Sequence, residues 1–197
     1  MDDKLTAAVV HDMKNALGVL EGQLATLSHT YPEISAPHAL CASLRQKLIG
    51  FLTLYKGQMV ARVSDVCPED FLLEARDLAV LPQDPPSIEV EIAPGTPLIW
   101  FFDERLIQLA LEAAIQNALH FASERIVLKA RKEGDFLVFS VWDDGPGLGA
   151  EKGALSTGLG TELCRAIAAA HVKSKLKGHV TLENAEGGGA IFEMWLP

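Results

Sequence analysis

Residues 10–17 read Val-His-Asp-Met-Lys-Asn-Ala-Leu and set a histidine, an acid and an amide within about one helical turn. His11 and Asn15 stand four positions apart, so on a helix their side chains point the same way. Asp12 sits beside His11, where a carboxylate can orient an imidazole or take its proton. Met13, Leu17, Leu20, Leu24 and Leu27 recur at helical spacing and form an apolar stripe that leaves His11 off the core. An exposed histidine flanked in this way has what a phosphate-carrying imidazole needs. Taken alone, the same five residues also suit a solvated helix surface, which is the default.

Three further segments have residue types suited to nucleotide chemistry. Glu112 to Leu119 lies in a strong helical pattern and holds Asn117, whose amide oxygen can ligate a Mg2+ ion bridging nucleotide phosphates. The plain alternative is a polar residue on a helix surface. In Val141 to Gly147 an expected strand runs into Asp143-Asp144-Gly145-Pro146-Gly147. A carboxylate there can accept a hydrogen bond from an exocyclic amine such as that of adenine, and Gly145 and Gly147 let the backbone approach a flat ring. Asp-Gly and Pro-Gly are also ordinary turn dipeptides. Ser156-Thr157-Gly158-Leu159-Gly160 stands directly before a helix, whose N-terminus offers backbone N–H groups to phosphate, although glycine before a helix is common.

Positioning these residues requires two kinds of element. The spacing predicts one long amphipathic helix over 5–28, a break at Tyr31-Pro32, a loop or first helical turn at Pro37, and a second helix carrying Leu40, Leu44, Leu48, Phe51 or Leu52, Tyr55 and Met59. Two such helices form an antiparallel hairpin. A lone hairpin leaves apolar surface open, whereas two copies bury it as a four-helix bundle, so a homodimer is expected. After Ser64 the pattern changes. A helix starts at Pro68 and runs to Leu81, Pro82–Pro86 is a break, and Ser87–Ala93 alternates as a half-buried strand. A short strand over 97–102, a helix over 104–121, paired strands over 125–131 and 136–142, a helix over 158–170 and strands over 179–184 and 190–196 complete the pattern. The expected class is α+β: a helical hairpin over 1–64, then a sandwich over 65–197 with helices on one face of a mixed sheet.

Composition narrows the function classes. A net charge of −9 argues against a nucleic-acid binder that works by phosphate neutralisation. Cys41, Cys67 and Cys164 are widely spaced and odd in number, as reduced thiols of a cytoplasmic protein would be. The apolar runs are too short to span a bilayer and the acidic N-terminus is unlike a signal peptide, so no membrane insertion is expected. His29, His38, His120 and His171 have no ligand spacing and read as structural or surface residues, while Trp100, Trp142 and Trp195 read as sheet or core packing. Lys173, Lys175 and Lys177 alternate as the protective lysines of an edge strand do.

The ordered set is more specific than its parts: it resembles the core of a two-component sensor histidine kinase. His11 to Asn15 resembles the H-box of the dimerisation and histidine-phosphotransfer hairpin, and Asn117 matches the magnesium asparagine of the N-box. Asp143, Gly145 and Gly147 match the G1 box, and Gly158 and Gly160, after Thr157, match the G2 box. The resemblance implies a Bergerat-type GHKL sandwich, with ATP and Mg2+ as cofactors. It implies phosphoryl transfer from ATP to His11, with Asp12 as the base, and onward transfer to an aspartate of a response-regulator receiver domain. Asp12-x-x-Asn15 also fits the family's phosphatase pattern. No sensor, linker or receiver segment is recognisable, so a soluble, cytoplasmic, sensorless kinase is expected. Two positions depart from the pattern. Ala113 stands where the family carries an Asn or Glu, and the neighbouring Glu112 lies about 100° around the helix. The nucleotide lid, Leu148 to Ser156, is short, lacks Phe and has Lys152 as its only cation. The alternative is a phosphotransfer adaptor, or a receiver-binding pseudokinase or phosphatase with degenerate ATP chemistry.

Overall fold

Proline punctuates the N-terminal helices. In the computed structural model, which describes residues 3–28, 30–55, 59–82, 84–149 and 158–197, helix α1 spans Asp3–Ser28 and α2 spans Ser35–Tyr55. Between them Tyr31 is extended (φ −126°), as a residue before proline should be, and Pro32–Ile34 make a single 3-10 turn. Pro37 falls in the first turn of α2, where a missing N–H breaks no helical bond. The two helices pack on each other: Cys41 Sγ lies 3.6 Å from the Leu17 carbonyl, and Arg45 pairs with Glu21. Each helix covers only part of its neighbour. Of the expected α1 stripe, Leu17 and Leu24 are half-buried, while Met13, Leu20 and Leu27 are exposed, as are Leu40 and Leu44 on α2.

The chain forms two compact units, 1–58 with 80–85, and 59–79 with 86–197. In the second, the elements after the short strand β1 (Ser64–Val66) are α3 (Pro68–Asp77), β2 (Ser87–Ile92), β3 (Trp100–Phe102), α4 (Glu104–Phe121), β4 (Arg125–Glu133), β5 (Phe136–Asp143), α5 (Leu159–Ala170), β6 (Val172–Lys173), β7 (Leu176–Lys177), β8 (His179–Asn184) and β9 (Ala190–Leu196). The main sheet has the order β2-β4-β5-β9-β8, with β2 and β4 parallel and the remaining pairs antiparallel. It is the mixed sheet expected of an α+β domain. Period-two alternation puts Leu137, Phe139 and Val141 of β5 opposite Leu196, Met194 and Phe192 of β9, all buried. Phe71, Phe102 and Phe139 meet there with ring centroids 5.1–5.6 Å apart. Helix α4 lays Ile107, Ala110, Leu111, Ala114, Ile115 and Ala118 on this core, leaving its opposite side free for polar residues. Along β2 and β4 run the ion pairs Arg125–Glu89 at 2.7 Å and Lys129–Glu91 at 3.2 Å.

Three local readings need correction. Helix α3 stops at Asp77, short of Leu81, and Leu78 is 56% exposed. Burial ends with Ala75, so nothing apolar holds a further turn. The segment after Ser64 opens with β1, which pairs antiparallel with β3. Lys173 and Lys177 lie in a separate β6–β7 ribbon, turned at Ser174 (φ 56°), and β8 forms the sheet edge. Lys173 Nζ lies 5.1 Å from the centre of the Trp100 ring.

Candidate functional site

Helix α1 brings His11, Asp12 and Asn15 together through backbone geometry alone. The Asn15 amide Nδ2 donates to His11 Nδ1 at 3.3 Å, and Asp12 Oδ1 lies 3.7 Å from the same nitrogen. The His11 and Asp12 side chains are 58% and 86% exposed, so both are open to a second molecule. Beside them, Lys14, Asn15, Gly18 and Val19 of α1 with Arg45 and Ile49 of α2 line a cleft of about 310 Å³.

The second cluster lies around the C-terminal half of α4. Asp103 caps this helix, its Oδ1 accepting the Leu106 N–H at 3.1 Å. Asn117 is exposed on α4, and Gly160, in the first turn of α5, sits over it. A Cβ on Gly160 would lie 3.8 Å from Asn117 Nδ2 and 4.0 Å from the Ala113 methyl. Ala113 is buried and brings no polar group to this contact. Glu112 does not replace it: its carboxylate accepts from Gln108 Nε2 at 3.2 Å, along the helix. Gly158, at φ 71°, is exposed and caps α5 without a side chain. Thr157, with residues 150–156 of the expected lid and Lys152 among them, lies outside the described residues.

Asp143 ends β5 and is 7% exposed, with Oδ1 accepting the Gly145 N–H at 3.0 Å. Burial raises the carboxyl above its usual range, while the N–H groups of Gly145 and Ala190 pull the other way. Gly145 is needed for close approach: a Cβ there would collide with the carbonyl oxygen of Phe121, about one turn beyond Asn117 on α4. Gly147 (φ 79°) is followed by Leu148, whose N–H donates to Asn184 Oδ1 at 2.6 Å.

Sequence reading missed three contributors, Asp144, Asn184 and Gly189, and left His171 as structural or surface. Asp144 accepts the backbone N–H groups of Ser123, Glu124 and Arg125 at 2.7–3.1 Å. Burial opposes its charge, but those donors outweigh it and hold the carboxyl below its usual range. Asn184 and Gly189 fix the other side of the turn, since a Cβ on Gly189 (φ 82°) would collide with the Asp143 carbonyl oxygen. His171 is buried and bonded at both ring nitrogens. The glycine run 187–189 is a turn signal in the sequence but carries no sign of its contact with Asp143, and nothing local marks Asp144 or Asn184. Asn117, Gly145, Gly147, Gly160 and Asp143 thus belong to one unit, and His11, Asp12 and Asn15 to the other.

The second unit thus sets helices on a mixed sheet, with a buried aspartate at a glycine turn and a glycine-led helix over an asparagine. Residues 102–197 match the family of histidine kinase-, DNA gyrase B- and HSP90-like ATPases. The sensor protein KdpD of Escherichia coli (strain K12) is 29% identical over an alignment covering 98% of this chain and 24% of KdpD. The alginate biosynthesis sensor protein KinB of Pseudomonas aeruginosa is 30% identical, covering 56% of this chain and 20% of KinB. Full-length ShkA, solved in complex with AMPPNP, shares the fold with a TM-score of 0.68 at 20% identity, over 100% of this chain and 46% of ShkA. The match of residues 102–197 and the similarity along the chain make it resemble the sensor histidine kinases with a GHKL-type ATP-binding domain. It spans about a quarter of the length of KdpD and a fifth of KinB. Among the described residues, no helix is long and apolar enough to cross a membrane.

Proposed function

We propose that residues 65–197 bind ATP with Mg2+ and transfer its γ-phosphoryl group to His11 of a dimeric helical-hairpin module, residues 1–64. The observation that carries the reading is the seating of Gly160 on Asn117, with the Asp143 turn packed on the end of the same helix. Asp143 accepts the adenine amine, and the N–H groups at the start of α5 face the phosphates. Asn117 supplies an oxygen ligand to Mg2+, which when bound neutralises phosphate charge. Asp12 and Asn15 both address His11 Nδ1. With Asn15 donating there, the imidazole hydrogen sits on Nε2 and blocks its lone pair. With the hydrogen on Nδ1 and directed to Asp12, Nε2 is free to attack phosphorus. The N–P bond forms as the bond to the ADP oxygen breaks, and Asp12 takes the Nδ1 proton. The phosphoryl group then passes to a receiver aspartate of a response regulator. Asn15 and Asp12 orient the water that removes it again.

The test is incubation with γ-labelled ATP and Mg2+. Acid-labile label should appear on the wild type and fall at least 100-fold in His11→Gln, in line with loss of a nucleophile. Asp143→Asn should lose label together with nucleotide affinity, and Asn15→Ala should keep it. A second reading, a receiver-binding phosphatase or pseudokinase, is favoured by the apolar Ala113 beneath Gly160. Nucleotide binding without label on His11 would select it. Label arriving only from a phosphorylated receiver, with no nucleotide bound, would select a phosphotransfer adaptor.

A further inference from the structure

The helices that carry Asn117 and Gly160 are joined at their other ends by a buried polar cluster. His171 follows the last residue of α5 and is 2% exposed. Its Nδ1–H donates to the Ile167 carbonyl at 2.8 Å, and its Nε2 accepts the backbone N–H of Asp103 at 3.0 Å. Asp103 is the cap of α4, and its Oδ2 accepts the Arg62 backbone N–H at 2.7 Å. One imidazole therefore ties together the end of α5, the start of α4 and the segment that precedes β1.

The pattern works in a single protonation state. Asp103 donates its backbone N–H, so Nε2 must keep a lone pair; a second ring proton would set one N–H against another. Burial pushes the imidazole pKa down, while the Ile167 carbonyl and the Asp103 carboxylate oppose it. From the α4 side the charged neighbour is Asp103. On α5, Glu162 and Arg165 are exposed and pair with each other at 2.6 Å, and Lys173 of β6 lies over Trp100. Between β7 and β8, Gly178 lies against the Ala168 and Trp195 carbonyl oxygens, its N–H donating to the His171 carbonyl at 2.8 Å.

We propose that His171 and Asp103 are positioning residues for the nucleotide face: they lock the base of α5 against α4, set how Gly160 seats on Asn117, and release that contact when His171 is protonated. The lever is α5 itself. Its twelve residues span about 18 Å, so a tilt of about 5° at His171 moves the Gly160 end by about 1.5 Å. Because the imidazole titrates below its ordinary range of about 6.5, the joint is intact above that pH and is lost as pH falls through the folded-state value. The inference rests on the nucleotide reading only for its effect on affinity.

The experiment uses the full chain, wild type and His171→Gln, whose amide oxygen can reach the place of Nε2 and stays uncharged. Backbone NMR signals of Asn117 and Gly160 are followed from pH 7.5 down through the His171 titration, and affinity for AMPPNP with Mg2+ is measured at both ends. In the wild type both signals should move with the His171 titration, and affinity should fall about fivefold more than in His171→Gln. AMPPNP should in turn lower the pH at which His171 titrates. Asn117 and Gly160 signals unmoved through the His171 titration, or an identical response in His171→Gln, would overturn the proposal. Absence of AMPPNP binding at pH 7.5 would instead remove the nucleotide reading, and the two backbone signals would still decide the joint.

Discussion

The two candidate sites solve opposite problems. The His11 turn is a surface cluster made by one helix, with side chains open to solvent and one 3.3 Å contact between them. The Asp143 turn is made by segments up to 68 residues apart in sequence, 143–145, 121 and 189, pressed together until no Cβ fits. A group that hands phosphate between molecules needs reach and freedom. A group that reads a flat, polar base needs a frame that does not yield. The prediction is that substitutions at the two sites differ most in what they do to stability.

The largest effect should come from Gly189→Ala. The residue sits at φ 82°, and its Cβ would strike the Asp143 carbonyl oxygen, so backbone strain and collision act together. A loss of about 3 kcal/mol or more in the α+β unit is expected, read by urea unfolding of the full chain. A loss under about 1 kcal/mol would mean that the turn gives way, and that the frame is no stiffer than the His11 helix.

Asp144→Ala should cost less. Its carboxylate organises the turn between α4 and β4 by accepting three backbone N–H groups, but the donors are exposed and water can replace it. About 1 kcal/mol is expected, with the fold retained. The pH dependence has a definite sign. The folded-state carboxyl lies below its ordinary range, so its contribution is complete above about pH 3.9 and is lost as the pH falls. Acid unfolding of the wild type and Asp144→Ala should therefore converge at low pH. A difference that persists there would assign the effect to the side chain's packing and not to its charge.

These two aspartates show where sequence reasoning stops. Asp143 and Asp144 are neighbours of the same type, yet burial raises one and backbone donors lower the other. The last residue of a strand and the first of a turn face different surroundings, and those surroundings come from Phe121, Ser123 and Gly189. What was legible is local and periodic. The i, i+4 relation of His11 and Asn15 appears as a contact, and the alternation in β5 and β9 appears as a buried face. Strands of two or three residues, such as β1, β6 and β7, are too short to show a period. Leu78 fits the helical pattern of α3 yet points to solvent, because spacing does not reveal when the core ends. The bond from Asp103 to His171 spans 68 residues and has no local signature at all.

The smallest effect sharpens the comparison from the other side. Gly22 lies inside α1 and is exposed, and a Cβ there would meet nothing within 4 Å. Alanine removes backbone freedom from the unfolded chain, so Gly22→Ala should stabilise the helical unit by about 0.5–1 kcal/mol and leave nucleotide affinity unchanged. Thr26 can keep its hydroxyl on the residue 22 carbonyl, at 3.0 Å in the native helix, because the bond uses the backbone. The measurement is thermal unfolding over a range of chain concentrations. A gain that does not depend on concentration places Gly22 on an open face of the helical unit. A loss that grows on dilution would mean that a second copy covers this face, and that the freedom around His11 ends before α1 reaches Gly22.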